Sequence, residues 1–119
     1  MAEAELMDSS VRTTQVGSAS YRIVLTGEFD MYSSPEFRHE LHTCLERGAR
    51  EVVVDLSAAS FIDSTFLGVL LGGMKHLRER GGQISIICPD SLRRAFEVTG
   101  LDRVLTITDA PIVAVEPAT

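Results

Sequence analysis

The chain has 119 residues, 17 of them Asp or Glu and 11 Lys or Arg, for a formal charge of −6. That length fits one domain with a real core, and 45% hydrophobic against 24% charged residues argues against disorder along the whole chain. The acidic balance argues against partners that need a basic footprint, namely nucleic acid or an anionic membrane surface.

Residues 1–10, MAEAELMDSS, lack a basic stretch followed by an apolar one, so no signal peptide is read there. They are expected to form a flexible arm, with a single domain over residues 11–119. Val11 to Val16 reads as a strand, Gly17 to Ser20 as a turn. Tyr21 to Phe29 alternates with period two and completes a hairpin. Ser33, Ser34 and Pro35 signal a helix start. Phe37, Leu41, Cys44 and Leu45 continue at helical spacing up to a Gly48 cap. Glu51 to Leu56 holds Val52, Val53 and Val54 in succession, which suggests a strand covered on both faces.

A second helix is expected from Ser64 to Arg80, with Leu67, Leu70, Leu71, Met74 and Leu77 as its apolar stripe and Gly81-Gly82 as its end. Gln83 to Cys88 is a strand. Pro89-Asp90-Ser91 opens a third helix, which Gly100 closes. Val104 to Thr108 is the last strand, and Pro111 leaves open whether a further short helix follows. Strands and helices alternate after the hairpin. The predicted fold class is therefore α/β: a mixed, mostly parallel sheet of four to five strands with three to four helices. The longest apolar stretch, Phe66 to Met74, falls well short of the ~20 residues that span a bilayer, so a cytoplasmic protein is expected. Cys44 and Cys88 stand alone and read as free thiols, with no metal spacing and no cofactor motif around them. A glycine-rich phosphate loop is also missing, so ATP binding by this chain is not expected.

Functional residues in such sheets gather beyond the carboxyl ends of strands. Two segments qualify, Gly27 to Ser34 and Asp55 to Thr65. In the second, Asp63 and Ser64 stand at a helix start. Either residue type caps helices in many proteins. A serine there is also a good phosphate acceptor, because helix amides and the helix dipole favour an anion. Gly68, Gly72 and Gly73 follow. Each costs about 1 kcal/mol relative to Ala in a helix interior. Gly68 and Gly72 share a face, so close approach is expected there, by a neighbouring element or by a partner's backbone.

Leu25-Thr26-Gly27-Glu28-Phe29-Asp30, Val54-Asp55-Leu56-Ser57, Phe61-Ile62-Asp63-Ser64-Thr65, Leu67-Gly68-Val69-Leu70 and Thr99-Gly100-Leu101 stand in an order that closely resembles the bacterial anti-sigma factor antagonists, which are built on the STAS domain. The resemblance runs over roughly Val11 to Thr108. It implies a regulatory protein, not an enzyme, that binds an anti-sigma factor serine kinase and so frees a sigma factor for transcription. It implies that the kinase phosphorylates Ser64, that the phosphorylated form loses affinity, and that a serine phosphatase restores it. By the same pattern Asp30 lies near the acceptor. The partner-binding set becomes Asp30, Asp63, Ser64, Thr65, Phe66, Gly68 and Gly72, with no metal. The chain departs from the family at Phe66, where glycine is usual; the ring either packs inward or enters the contact surface. Thr65 offers a second hydroxyl as acceptor, and the tail after Asp109 is short for a relative.

Three other readings fit parts of the pattern. A hydrolase would use Ser64 with His39, His42 or His76 as base, but the glycine-flanked elbow is missing and the histidines fall on solvent-facing helix positions. A receiver domain would use Asp55 as phosphoacceptor, with Glu28 and Asp30 holding Mg²⁺. A STAS module that binds its partner without a switch is the third. Arg93 and Arg94 read as a solvated face.

Overall fold

The computed structural model describes residues 9–109. Strands β1 (Ser10–Gly17), β2 (Ser20–Phe29), β3 (Glu51–Ile62), β4 (Gln83–Cys88) and β5 (Thr106–Asp109) form one sheet in chain order. β1 and β2 pair antiparallel, and the later pairs are parallel. Helix α1 (Ser34–Glu46) links β2 to β3, and α2 (Ser64–Glu79) links β3 to β4. Helix α3 (Asp90–Thr99), with a 3₁₀ turn at Leu101–Arg103, links β4 to β5. This is the mixed α/β architecture expected, with five strands and three helices among the described residues. Most of the expected N-terminal arm and everything after Asp109 lie outside the described residues, although Ser10 already belongs to β1.

Each crossover moves one strand onward in the same direction. Right-handed crossovers of that kind return on a single side of the sheet. The burial pattern agrees. Ile23, Val54 and Ile86 pair across the sheet and are fully buried under Phe37, Leu70, Leu77 and Phe96 from the helices. The neighbouring row, Arg22, Val53 and Ser85, stays partly exposed. The valine run is thus covered on one face only among the described residues, not on both as its composition suggests.

Two boundaries differ from expectation. β3 continues past Leu56 to Ile62, although Ser57 to Ser60 are small residues of weak strand preference. Tertiary pairing holds them: β2 follows β3 to the end, with Phe29 opposite Ile62, after register shifts between Val24 and Thr26 and between Gly27 and Glu28. β4 stays paired only as far as Asp55. The last strand begins at Thr106, not Val104. Gly100, at φ +77°, first turns the chain into the 3₁₀ segment, and Leu105 enters the core.

The glycines of α2 separate into two kinds. A Cβ on Gly73 would lie 2.5 Å from Leu41 Cδ2 and 3.2 Å from its Cγ, so this residue lets α1 press against α2. A Cβ on Gly68 or Gly72 would meet nothing within 4 Å, so no neighbouring element of the domain makes the close approach that was one of the two expectations for their shared face. Gly73→Ala should therefore destabilise the domain by about 1–3 kcal/mol through overpacking. Gly68→Ala and Gly72→Ala should each stabilise it by up to about 1 kcal/mol through helix propensity. Urea midpoints of the three variants check the opposite signs.

Candidate functional site

The first turn of α2 is held by Asp63. Its backbone is extended, at φ −128° and ψ −171°, and its Oδ1 accepts hydrogen bonds from the amides of Thr65 at 2.9 Å and Phe66 at 3.1 Å. The carboxylate therefore takes up two amides that the helix itself leaves without partners. Ser64, the first residue of α2, is exposed, and Thr65 beside it is half-buried.

Phe66 points the other way and is 0% exposed. Its ring stacks on Phe37 with centroids 4.7 Å apart and planes 25° apart, and meets Phe29 at 5.8 Å and 51°. Phe66 is accordingly a core residue and not part of a contact surface, which corrects its place in the expected partner-binding set. The apolar slot between β2 and α1 favours the ring by roughly 1.5–3 kcal/mol over exposure.

Asp30 heads the turn between β2 and α1. Its Oδ1 accepts from the Tyr32 amide at 2.9 Å, and from the Ser33 amide and hydroxyl at 3.1 Å each. The Ser33 hydroxyl also lies 2.8 Å from the Glu28 carbonyl. The Tyr32 amide, followed by that of Ser33, holds the Asp30 carboxyl below its ordinary pKa. Because Phe29 and Ile62 are paired, Asp30 and Asp63 leave neighbouring strands at the same level of the sheet. The register thus brings Asp30 to the rim that carries Asp63, Ser64 and Thr65.

Gly68 and Gly72 lie elsewhere, one and two turns down α2. With Leu41, Leu45 and Val69 they line a groove of about 270 Å³ between α1 and α2, edged by Arg38, His42 and His76. The same rim that displays Ser64 carries apolar side chains that the motifs did not single out. Tyr32 is 86% exposed, Met31 58% and Phe61 45%. The visible sign in the sequence is a Met-Tyr pair inside an otherwise polar turn between Asp30 and Ser33.

Asp55 does not gather with the other acids. It is 6% exposed in the middle of β3, opposite Val24, whereas Glu28 faces Phe61 further along the same strand pair. Arg22 donates to its Oδ2 at 2.5 Å, and the Ser57 amide and hydroxyl donate to its Oδ1 at 2.9 and 2.6 Å. Among the described residues, no group of three or more His, Cys, Asp or Glu is placed to hold a metal ion. This geometry removes the basis for a receiver-type site at Asp55. His76 stands about 18 Å from Ser64 along α2, and His42 pairs with Glu46 at 3.1 Å. Cys44 and Cys88 are free and buried, and burial pushes the Cys44 thiol up to about 11. Arg93 is half-buried and bonded to Asp109, so only Arg94 of that pair is a solvated residue. No helix among the described residues is long and apolar enough to cross a membrane.

Residues 13–108 match the family described as Mlab, STAS domain. The chain is 31% identical over 104 residues to the anti-sigma-B factor antagonist of Staphylococcus aureus strain NCTC 8325, covering 87% of this chain and 95% of that protein. Its fold is similar to an anti-sigma factor antagonist from Mycobacterium paratuberculosis, with a TM-score of 0.73 at 21% identity over 90% of this chain and 89% of the other. It is also similar to the Bacillus cell fate determinant SpoIIAA in its phosphorylated form, with a TM-score of 0.67 at 23% identity over 92% and 100% of the two chains.

Burial alone would raise the Asp55 pKa, but the Ser57 hydroxyl, its amide and Arg22 outweigh it and hold the carboxyl below its ordinary value. A depressed carboxylate contributes stability that is complete above the unfolded value of about 3.9 and is lost as pH falls through the folded value. Urea midpoints should therefore drop below about pH 4. Asp55→Asn should cost about 1–3 kcal/mol at pH 7 and show a smaller drop on acidification. An equal drop in both proteins would contradict the assignment.

Proposed function

The chain belongs to the STAS domain family, and from that premise we propose that it is an anti-sigma factor antagonist that docks on an anti-sigma factor serine kinase through the rim around Ser64. Docking releases a sigma factor. Phosphorylation of Ser64 by the kinase ends the docking, and a serine phosphatase restores it. In this reading the chain is a regulatory binding protein, the substrate of enzymes and not an enzyme itself.

The observation that carries the reading is an exposed serine, Ser64, beside a carboxylate that already occupies the helix amides. A phosphate adds about −1.5 to −2 charge units at neutral pH. Free amides at a helix start neutralise such an anion well. Here the Thr65 and Phe66 amides are bonded to Asp63, which itself repels a second anion. The phosphate then depends on water, and not on those amides, for its hydrogen bonds, as a hydrated dianion inside the contact surface. Its desolvation then opposes docking without any need to refold the domain. Half-buried Thr65 is less accessible to a kinase than Ser64.

Ser64→Asp should weaken binding to a cognate kinase at least about tenfold, or roughly 1.4 kcal/mol, and Ser64→Ala should bind within about twofold of wild type. Intact-mass analysis after incubation with kinase and ATP should show one phosphate adduct on the wild type and none on Ser64→Ala. An adduct that persists on Ser64→Ala would assign the acceptor to Thr65, and equal binding by both variants would refute the electrostatic switch.

A further inference from the structure

The turn between β2 and α1 displays Met31 and Tyr32, the latter the most exposed large hydrophobic residue described. An isolated exposed apolar side chain is ordinary. These two are adjacent, and their backbone is tightly bonded. Asp30 Oδ1 receives three hydrogen bonds from Tyr32 and Ser33, the Asp30 amide donates to the Ser33 hydroxyl at 3.0 Å, and the Ser34 amide donates to the Asp30 carbonyl at 2.9 Å. A turn fixed in this way presents its side chains with little loss of backbone freedom on binding. Tyrosine is among the residues that most often dominate interface energies. The turn leaves the sheet beside the segment that carries Ser64, and an enzyme that reaches the Ser64 hydroxyl must cover this neighbourhood.

We infer that Met31 and Tyr32 are the apolar anchor by which this chain seats on its kinase, in an apolar pocket beside the kinase's active-site cleft, and that Asp30 is a positioning residue that holds the anchor in shape. The inference rests on the function proposed above. Asp30 acts through its oxygen as an acceptor, not through its charge. An amide at that position keeps the acceptor, and a methyl group does not.

The test uses the full chain and a purified serine-kinase anti-sigma factor that phosphorylates wild-type Ser64. Tyr32→Ala should weaken binding at least about tenfold. As a substrate it should show a raised KM with kcat nearly unchanged, since the anchor binds the kinase without touching the transferred phosphoryl group. Tyr32→Phe and Asp30→Asn should stay within about threefold of wild type, and Asp30→Ala should lose about tenfold. Val98→Ala, an exposed apolar residue on α3, should have no effect. Circular dichroism melts establish that each variant is folded. If Ser64→Asp fails to bind while Tyr32→Ala binds normally, the anchor is refuted and the proposed function stands. If Ser64→Asp binds like wild type, the proposed function falls and the anchor with it. Equal losses for Asp30→Asn and Asp30→Ala would refute the positioning role and make Asp30 a charge contact.

Discussion

The Phe66 ring, wedged between Phe29 and Phe37, fixes the rim around Ser64. It ties the first turn of α2 to the end of β2 and to α1 with one side chain. A helix turns about 100° per residue, so burying Phe66 and Leu67 directs Ser64 outward. Removing the ring would leave a cavity in a slot that three elements share, at a cost of about 3–5 kcal/mol. Asp63 completes the arrangement, since its cap starts the helix at a definite residue. An apolar wedge and an acidic cap, three residues apart, together place one hydroxyl.

Much of this was legible from residue pattern. The hairpin, the helix starts at Ser34 and Ser64, and the glycine stops at Gly48, Gly81 and Gly100 follow from local rules, and the left-handed backbone at those three glycines agrees. What local rules could not supply was pairing. Ser57 to Ser60 carry no strand signal, and only β2 alongside makes them a strand. The valine run misled because β-branched residues report strand preference more strongly than coverage. A continuous apolar run does not say which of its faces the helices will choose.

The site was legible unevenly. Asp30, Asp63, Ser64 and Thr65 do share one rim. Phe66 left the expected set because periodicity does not reveal that Phe37 and Phe29 flank an empty slot. Gly68 and Gly72 line the groove between α1 and α2 and not the rim, and the glycine the packing of those helices needs is Gly73. Met31 and Tyr32 escaped notice because a short apolar pair in a turn reads locally as core. Only the exposure of both side chains in the folded chain shows that the core never receives them.

The strand order has a consequence for how the domain comes into being. Because the sheet grows in the order of the chain, every strand pairs with one that precedes or follows it, and no late segment must thread between earlier ones. Such connectivity keeps loop closures short and favours rapid assembly. The rim needs only β1, β2, α1, β3 and α2, which are complete by Glu79. The elements that carry the rim therefore come first in the chain, and β4, α3 and β5 complete the same core afterwards with Ile84, Ile86, Cys88, Leu92, Phe96 and Leu105.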